Sequence, residues 1–275
     1  MALSGTDLVA YESLVVEKIW EIDPDKLLYA FRNSHFKYAS HMIVITGPSP
    51  NRRDEFENRI ASRRIFELLW EVHLKARVSD VRHFYDLFRA KTTTAADAGW
   101  VFEFRMHQVL REKRTIQLFP ITQDHPGPVN FIYTGHSREK PIDIHLAGSD
   151  EHLLVEKGEL YTNRYYRPKP VDHPAVDSLL LVHPPGSPPI LLMFQITRKV
   201  EEHGANEGDL CRINNLDLPE ITRKYYVAAT PEDIEPKIKI PRGYDGTGAA
   251  RLPDAVLRVL NYPVSLGTLF SAVSD

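Results

Sequence analysis

V-D-S-L-L-L-V-H-P-P-G-S-P-P-I-L-L-M-F-Q-I-T-R-K-V-E-E-H, residues 176–203, is the stretch whose reading decides the fold. Two apolar runs, residues 179–182 and 190–197, flank a Pro/Gly/Ser connector, the pattern of a β-hairpin. Folding it symmetrically about Gly186 sets Asp177 opposite Gln195, each nine positions away. Such cross-strand partners have Cβ atoms about 5 Å apart. Alternation puts Thr197 on their face and Ser178, Phe194 and Ile196 on the other. Both faces are apolar farther along, so the hairpin reads as a central strand pair covered on both sides. Polar residues that converge at one strand end either meet solvent there or form a site.

Outward from the hairpin, residues 95–110, A-A-D-A-G-W-V-F-E-F-R-M-H-Q-V-L, have the length and apolar content of a helix. Glu103 lies between Phe102 and Phe104 in its most apolar part. An unpaired carboxylate is costly there, so it must pair, coordinate or face a polar cleft. His107, four residues on, shares its helix face and is a candidate salt-bridge partner.

Residues 1–94 read as mainly helical. Helical spacing covers residues 15–20 and 27–31, around the capping sequence Asp23-Pro24-Asp25. Residues 40–46 read as one strand, closed by Gly47-Pro48. Residues 53–76 read as a single helix from Phe56, Ile60, Leu68, Leu69 and Val72, with Arg52, Arg53, Arg59, Arg63 and Arg64 interleaved, a solvated face or, as the alternative, a nucleic-acid contact. A helix over residues 80–89 leads to Lys91-Thr92-Thr93-Thr94, the expected boundary between a 1–94 region and a 95–275 domain.

After the Glu103 helix come short extended runs at residues 115–122, 130–134, 142–146 and 159–166, then the hairpin. A polar stretch of helix and loop over 198–218, a strand at 225–230 and a last helix at 252–260 complete the order. Helix and strand array together make an α/β fold.

Composition sets bounds on function. Over 275 residues, 43% hydrophobic and 26% charged content is that of a globular chain with a sizeable core. No apolar run approaches the roughly 20 residues that span a bilayer. The opening M-A-L-S-G-T-D-L-V-A-Y-E lacks the pattern of a secretory signal. One cysteine, Cys211, excludes an internal disulfide and a cysteine-rich zinc site. These features lead us to expect no membrane partner and an intracellular address, nucleus or cytoplasm. The net charge of -3 requires any nucleic-acid contact to rest on a local basic patch.

Neither G-x-x-x-x-G-K-[ST] nor G-x-S-x-G occurs, so a phosphate-cradling loop and a nucleophile elbow have no support. Gly243–Gly248, G-Y-D-G-T-G, reads as a surface turn. Asp143 and His145 share a strand face, but without H-E-x-x-H the pair alone is a weak zinc signal. What remains is Glu103, Asp177, Gln195, Thr197 and His203. A helix carboxylate and a strand carboxylate, helped by an amide oxygen, can hold a hard cation while a phosphate fills its open positions. Arg198 or Lys199 stands close enough in sequence to stabilise developing charge.

G-W-V-F-E at residues 99–103, D-S-L-L-L-V at 177–182, F-Q-I-T at 194–197 and then His203 resemble the nuclease module of fungal Crinkler and RHS-type proteins. That module is a divergent branch of the restriction-endonuclease-like PD-(D/E)XK superfamily. I-A-S-R-R-I-F-E-L-L-W at 60–70 is similar to the tail of the helical region that precedes it. The resemblance implies a core of helix, strand meander, helix and strand, and metal-dependent hydrolysis of phosphodiester bonds in DNA, preferred over RNA. It implies Mg²⁺ or Mn²⁺ held by Glu103, Asp177 and Gln195, and a catalytic set completed by Thr197, Lys199 and His203. Gln195 stands where the superfamily usually has a metal-binding carboxylate, and Thr197 where it usually has lysine. Lys199 keeps the strand parity of Thr197. Those departures leave a second expectation open: an impaired module that binds nucleic acid or protein in an effector or selfish-element context. The P-loop domain that commonly precedes the module has no counterpart in this chain.

Overall fold

Asp23 opens a helix as its position predicts: its side chain accepts a hydrogen bond from the Asp25 N–H, and Pro24 occupies the first turn. The computed structural model describes residues 5–33, 43–48, 56–75, 77–90, 94–126, 130–153, 160–168, 176–198, 203–204, 216, 223–241 and 257–271. The chain divides into two compact units, Met1–Phe102 with Phe270–Asp275, and Glu103–Leu269.

The first unit contains helices α1 (Gly5–Trp20) and α2 (Pro24–Arg32), then the antiparallel pair β1 (Val44–Pro48) and β2 (Phe56–Ile60). β2 corrects the expectation of one helix over residues 53–76. A spacing of four, as between Phe56 and Ile60, fits both the helical period and twice the strand period. Tertiary bonds decide: buried Asn58 accepts from Thr46 Oγ1 at 2.6 Å and donates to the Ala30 carbonyl at 2.9 Å. Helix α3 (Arg63–Leu69) starts behind Ser62, whose Oγ accepts from Ile65 N at 3.2 Å. Ser62→Ala is expected to cost about 1 kcal/mol in a urea melt, the usual loss on removing an N-cap hydroxyl. The helix widens into a π turn at Trp70–Leu74, with Lys75 N donating to Trp70 O at 2.9 Å, before α4 (Val78–Arg89).

Helix α5 (Ala95–Val109) begins in the first unit, with Asp97 in its first turn. Asp97 is only 4% exposed and accepts from Ile60 N at 3.3 Å. Burial pushes its carboxyl pKa up to about 7, against the opposing pull of that N–H and of Arg59.

The second unit is built on one mixed sheet, so the chain is α/β. Its strands among the described residues are β3 (Lys113–Pro126), β4 (Asn130–His136), β5 (Ile142–Ala147), β6 (Glu151–Leu153), β7 (Tyr165–Arg167), β8 (Ser178–Val182), β9 (Ile190–Ile196), β10 (His203–Gly204), β11 (Arg223–Pro231), β12 (Ile238–Pro241) and β13 (Leu257–Val264). Their order is β10-β12-β4-β3-β13-β11-β9-β8-β7-β6, and β5 pairs with β3. The centre is an antiparallel meander β7-β8-β9, followed by β11 parallel to β9 and β13 parallel to β11. Every residue of β8 and β9 is buried, as expected for a hairpin covered on both faces. Ser178 pairs with Phe194 and Val182 with Ile190, the register that symmetry about Gly186 predicts. Gly186 itself has φ +69°, a left-handed conformation that glycine takes at little cost. On one sheet face Leu179, Leu191, Met193 and Tyr226 share a buried cluster with Ile238 and Ile240 of β12.

The helix expected over residues 252–260 is corrected too: Leu257–Val264 is a strand, paired along its whole length with β11. A spacing of four misled again, since Val256 and Leu260 suit either period, while Val259, Tyr262 and Val264 are residues that favour strands. Residues 252–256 lie outside the described set, as do 243–248 and most of 198–218. The strand expected at 159–166 is confined to Tyr165–Arg167, after a turn in which Asn163 takes φ 60°. A short helix, α6 (Leu266–Leu269), receives a hydrogen bond at its last carbonyl from the buried Arg105 guanidinium. No helix among the described residues is long and apolar enough to cross a membrane.

Candidate functional site at the end of the central hairpin

Asp177 immediately precedes β8, and its N–H donates to Phe194 O at 2.8 Å. That bond continues the hairpin register and turns the carboxylate toward the end of β9. Oδ2 accepts from Gln195 Nε2 at 2.8 Å and from Ile196 N at 2.6 Å. The amide can only face this way, because the reversed orientation would set Gln195 Oε1 against a carboxylate that accepts but does not donate. Gln195 Oε1 is buried and has no hydrogen-bond partner among the described residues. The Tyr226 hydroxyl on β11 is in the same condition, and burial together with the Asp177 charge raises its pKa. Thr197, two residues on from Gln195, is buried, its N–H donating to Ala229 O at 3.0 Å.

Glu103 belongs to a different network. Its Oε1 stands 3.6 Å from His107 Nε2, one helical turn on, and His107 Nδ1 bonds the Tyr165 hydroxyl at 2.5 Å. The phenol donates to Nδ1, which leaves the imidazole proton on Nε2, toward Glu103. Burial holds the His107 pKa below its usual value, partly offset by Glu103, so the ring is neutral at pH 7. Burial likewise raises the Tyr165 pKa, eased by the nearby Ser178 hydroxyl. Tyr165 pairs with Leu180, so Tyr165 and Ser178 project on one face of the sheet and Asp177 and Gln195 on the other.

The structure therefore brings Asp177 and Gln195 into direct contact, buries Thr197 at the end of the same strand and sets Glu103 near His107. Lys199 lies outside the described residues. His203 is placed by its backbone only, on β10, paired with Ile238 of β12. Tyr165 and Tyr226, absent from the sequence reading, are recruited through strand pairings remote in sequence, which no local motif announces. Their common signal is a pair of adjacent tyrosines, Tyr165-Tyr166 and Tyr225-Tyr226, in short extended runs, where a buried hydroxyl needs a partner.

Family models, curated proteins and solved structures were each compared with the chain, and none matches. The site must therefore be judged on its own donors. Among the described residues no three His, Cys, Asp or Glu side chains gather as a metal site. At the strand end there are one carboxylate and one neutral amide oxygen. One Asp177 oxygen already serves two N–H donors, and Glu103 is turned to His107. Mg²⁺ demands near-octahedral oxygen ligation with carboxylate support. As arranged, the described residues do not fit Mg²⁺ or Mn²⁺.

Proposed function

We propose that the Glu103–Leu269 unit is a nuclease-fold module of the PD-(D/E)XK type, akin to those of Crinkler and RHS-type proteins, whose hydrolytic centre is impaired and which binds nucleic acid. DNA is the preferred partner over RNA, in the nucleus or cytoplasm. The observation that carries this reading is the Gln195–Asp177 hydrogen bond, placed at the end of a meander whose next strand runs parallel to its last. The glutamine amide takes up one lone pair of Asp177 Oδ2 that a cation would otherwise use. The meander, the parallel strand and a preceding helix that carries Glu103 support the family assignment.

The second reading is an active metal-dependent endonuclease acting on DNA. It is favoured by Gln195 Oε1, a buried acceptor beside the Asp177 carboxylate that finds no donor among the described residues. Such an atom is what a cation would satisfy.

Supercoiled plasmid incubated with purified protein in Mg²⁺, Mn²⁺ or EDTA separates the two. Retarded but unbroken DNA is expected in all three. The double variant Gln195→Glu, Thr197→Lys, which restores charge to both positions, is expected to lose about 1–3 kcal/mol of stability in EDTA, from adjoining carboxylates. It should recover stability in Mn²⁺ and begin to nick. Nicking by the wild-type protein that EDTA abolishes would establish the second reading; absence of both binding and cleavage removes both.

A further inference from the structure

A separate feature lies at the other end of β8, roughly 16 Å from Asp177 at the usual strand rise. Among the described residues β5 pairs with β3 alone, along one side. Its other side borders a cavity of about 250 Å³, lined by residues 143–147 in unbroken succession, by residues 182–185, and by Lys113 and Asn163. Asp143, His145 and Ala147 point to solvent and Ile144 and Leu146 into the core. Side chains of opposite faces can line one cavity in succession only if it runs along the backbone edge of the strand. Such an edge presents unpaired N–H and C=O groups. In the facing wall Pro184 and Pro185 have no N–H to offer the edge carbonyls.

The polar groups around this edge fix the chemistry of an occupant. Lys113, His145 and His183 are exposed donors. His145 Nδ1 is held by Thr115 Oγ1 at 2.7 Å, leaving Nε2 as the ring's other polar atom. The one carboxylate in the lining, Asp143, already accepts from Gln117 Nε2 at 3.1 Å. Asn163 is anchored through its N–H to Leu181 O at 2.7 Å, and its exposed side chain can meet a backbone laid beside β5.

We propose that the free edge of β5 is a docking groove for an extended segment of a partner protein, added as a further strand and carrying acidic side chains at alternate positions. Backbone pairing supplies affinity and the alternate carboxylates meet Lys113 and the two imidazoles. This inference does not depend on the nuclease-fold reading, since it uses none of the residues at the Asp177 end.

Hydrogen exchange of the full chain, followed by mass spectrometry, tests it with the peptide acetyl-Glu-Val-Glu-Val-Glu-Val-amide. Exchange over residues 142–147 is expected to slow about tenfold at saturating peptide, as unpaired edge amides become bonded. The Lys-for-Glu version of the peptide is expected to leave exchange unchanged. Lys113→Glu, on an exposed position that need not disturb folding, is expected to weaken the acidic peptide about tenfold. No protection by the acidic peptide, equal protection by the basic one, or stronger protection by a mononucleotide would overturn the proposal. So would protection that rises with protein concentration alone alongside a doubling of mass, which would mark β5 as a contact between two copies.

Discussion

At pH 8 an Asp97→Asn variant is expected to exceed the wild-type chain in stability by an amount on the order of 2–4 kcal/mol. The cause is the buried carboxyl whose pKa rises from 3.8 to about 7 in the folded chain. Between those two values the folded chain holds a proton that the unfolded chain has lost, so stability falls as pH rises through that window. Asp97 thus contributes fully below pH 3.8 and has lost its contribution once the pH passes about 7. Asparagine keeps an oxygen for the Ile60 N–H and carries no charge to desolvate. Thermal melts at intervals from pH 4 to pH 8 should show the wild type declining and the variant nearly flat through this range, after subtraction of trends common to both. Parallel curves would show that Asp97 is solvated in solution.

Asp177→Ala is the second large effect, with an expected loss on the order of 3–5 kcal/mol by urea unfolding. The substitution removes two charge-assisted hydrogen bonds at once and leaves the Ile196 N–H and the Gln195 amide without their acceptor. Asp177→Asn should lose less, because its remaining oxygen can still accept from both donors, though without the charge that strengthens those bonds. Both measurements belong in EDTA as well as in Mn²⁺. A loss below about 1 kcal/mol in EDTA, well under the usual cost of unpaired buried donors, would mean that Asp177 does not hold the strand end together.

The hairpin could be read from sequence because its turn residues and its two apolar runs constrain each other, leaving a single symmetric register. Residues 95–110 were legible for a related reason: a long segment with sustained apolar content leaves little ambiguity. Phe56 with Ile60, and Val256 with Leu260, show the limit. Four-residue spacing satisfies both secondary-structure periods, and the choice is made by Asn58 reaching Ala30 and by β11 pairing with Leu257–Val264. Neither partner is local. At the candidate site, Asp177 opposite Gln195 followed from strand geometry alone. The neighbour anticipated for Glu103, His107, is the one found beside it at 3.6 Å, and it followed from helical spacing. The Tyr165 and Tyr226 hydroxyls needed tertiary knowledge.

β11 lies between β9 and β13 and is parallel to both. Its second neighbour is made late: about 60 residues separate the end of β9 from the start of β13, several seconds of translation at roughly 5–20 residues per second. During that interval the hairpin face that includes Leu179 and Met193 awaits Ile238 and Ile240 of its cluster, and β11, once synthesised, has one free edge. The parallel arrangement therefore carries a biogenesis cost that an antiparallel continuation would avoid. A nascent chain stalled between Pro231 and Leu257 is the species on which chaperone engagement should concentrate.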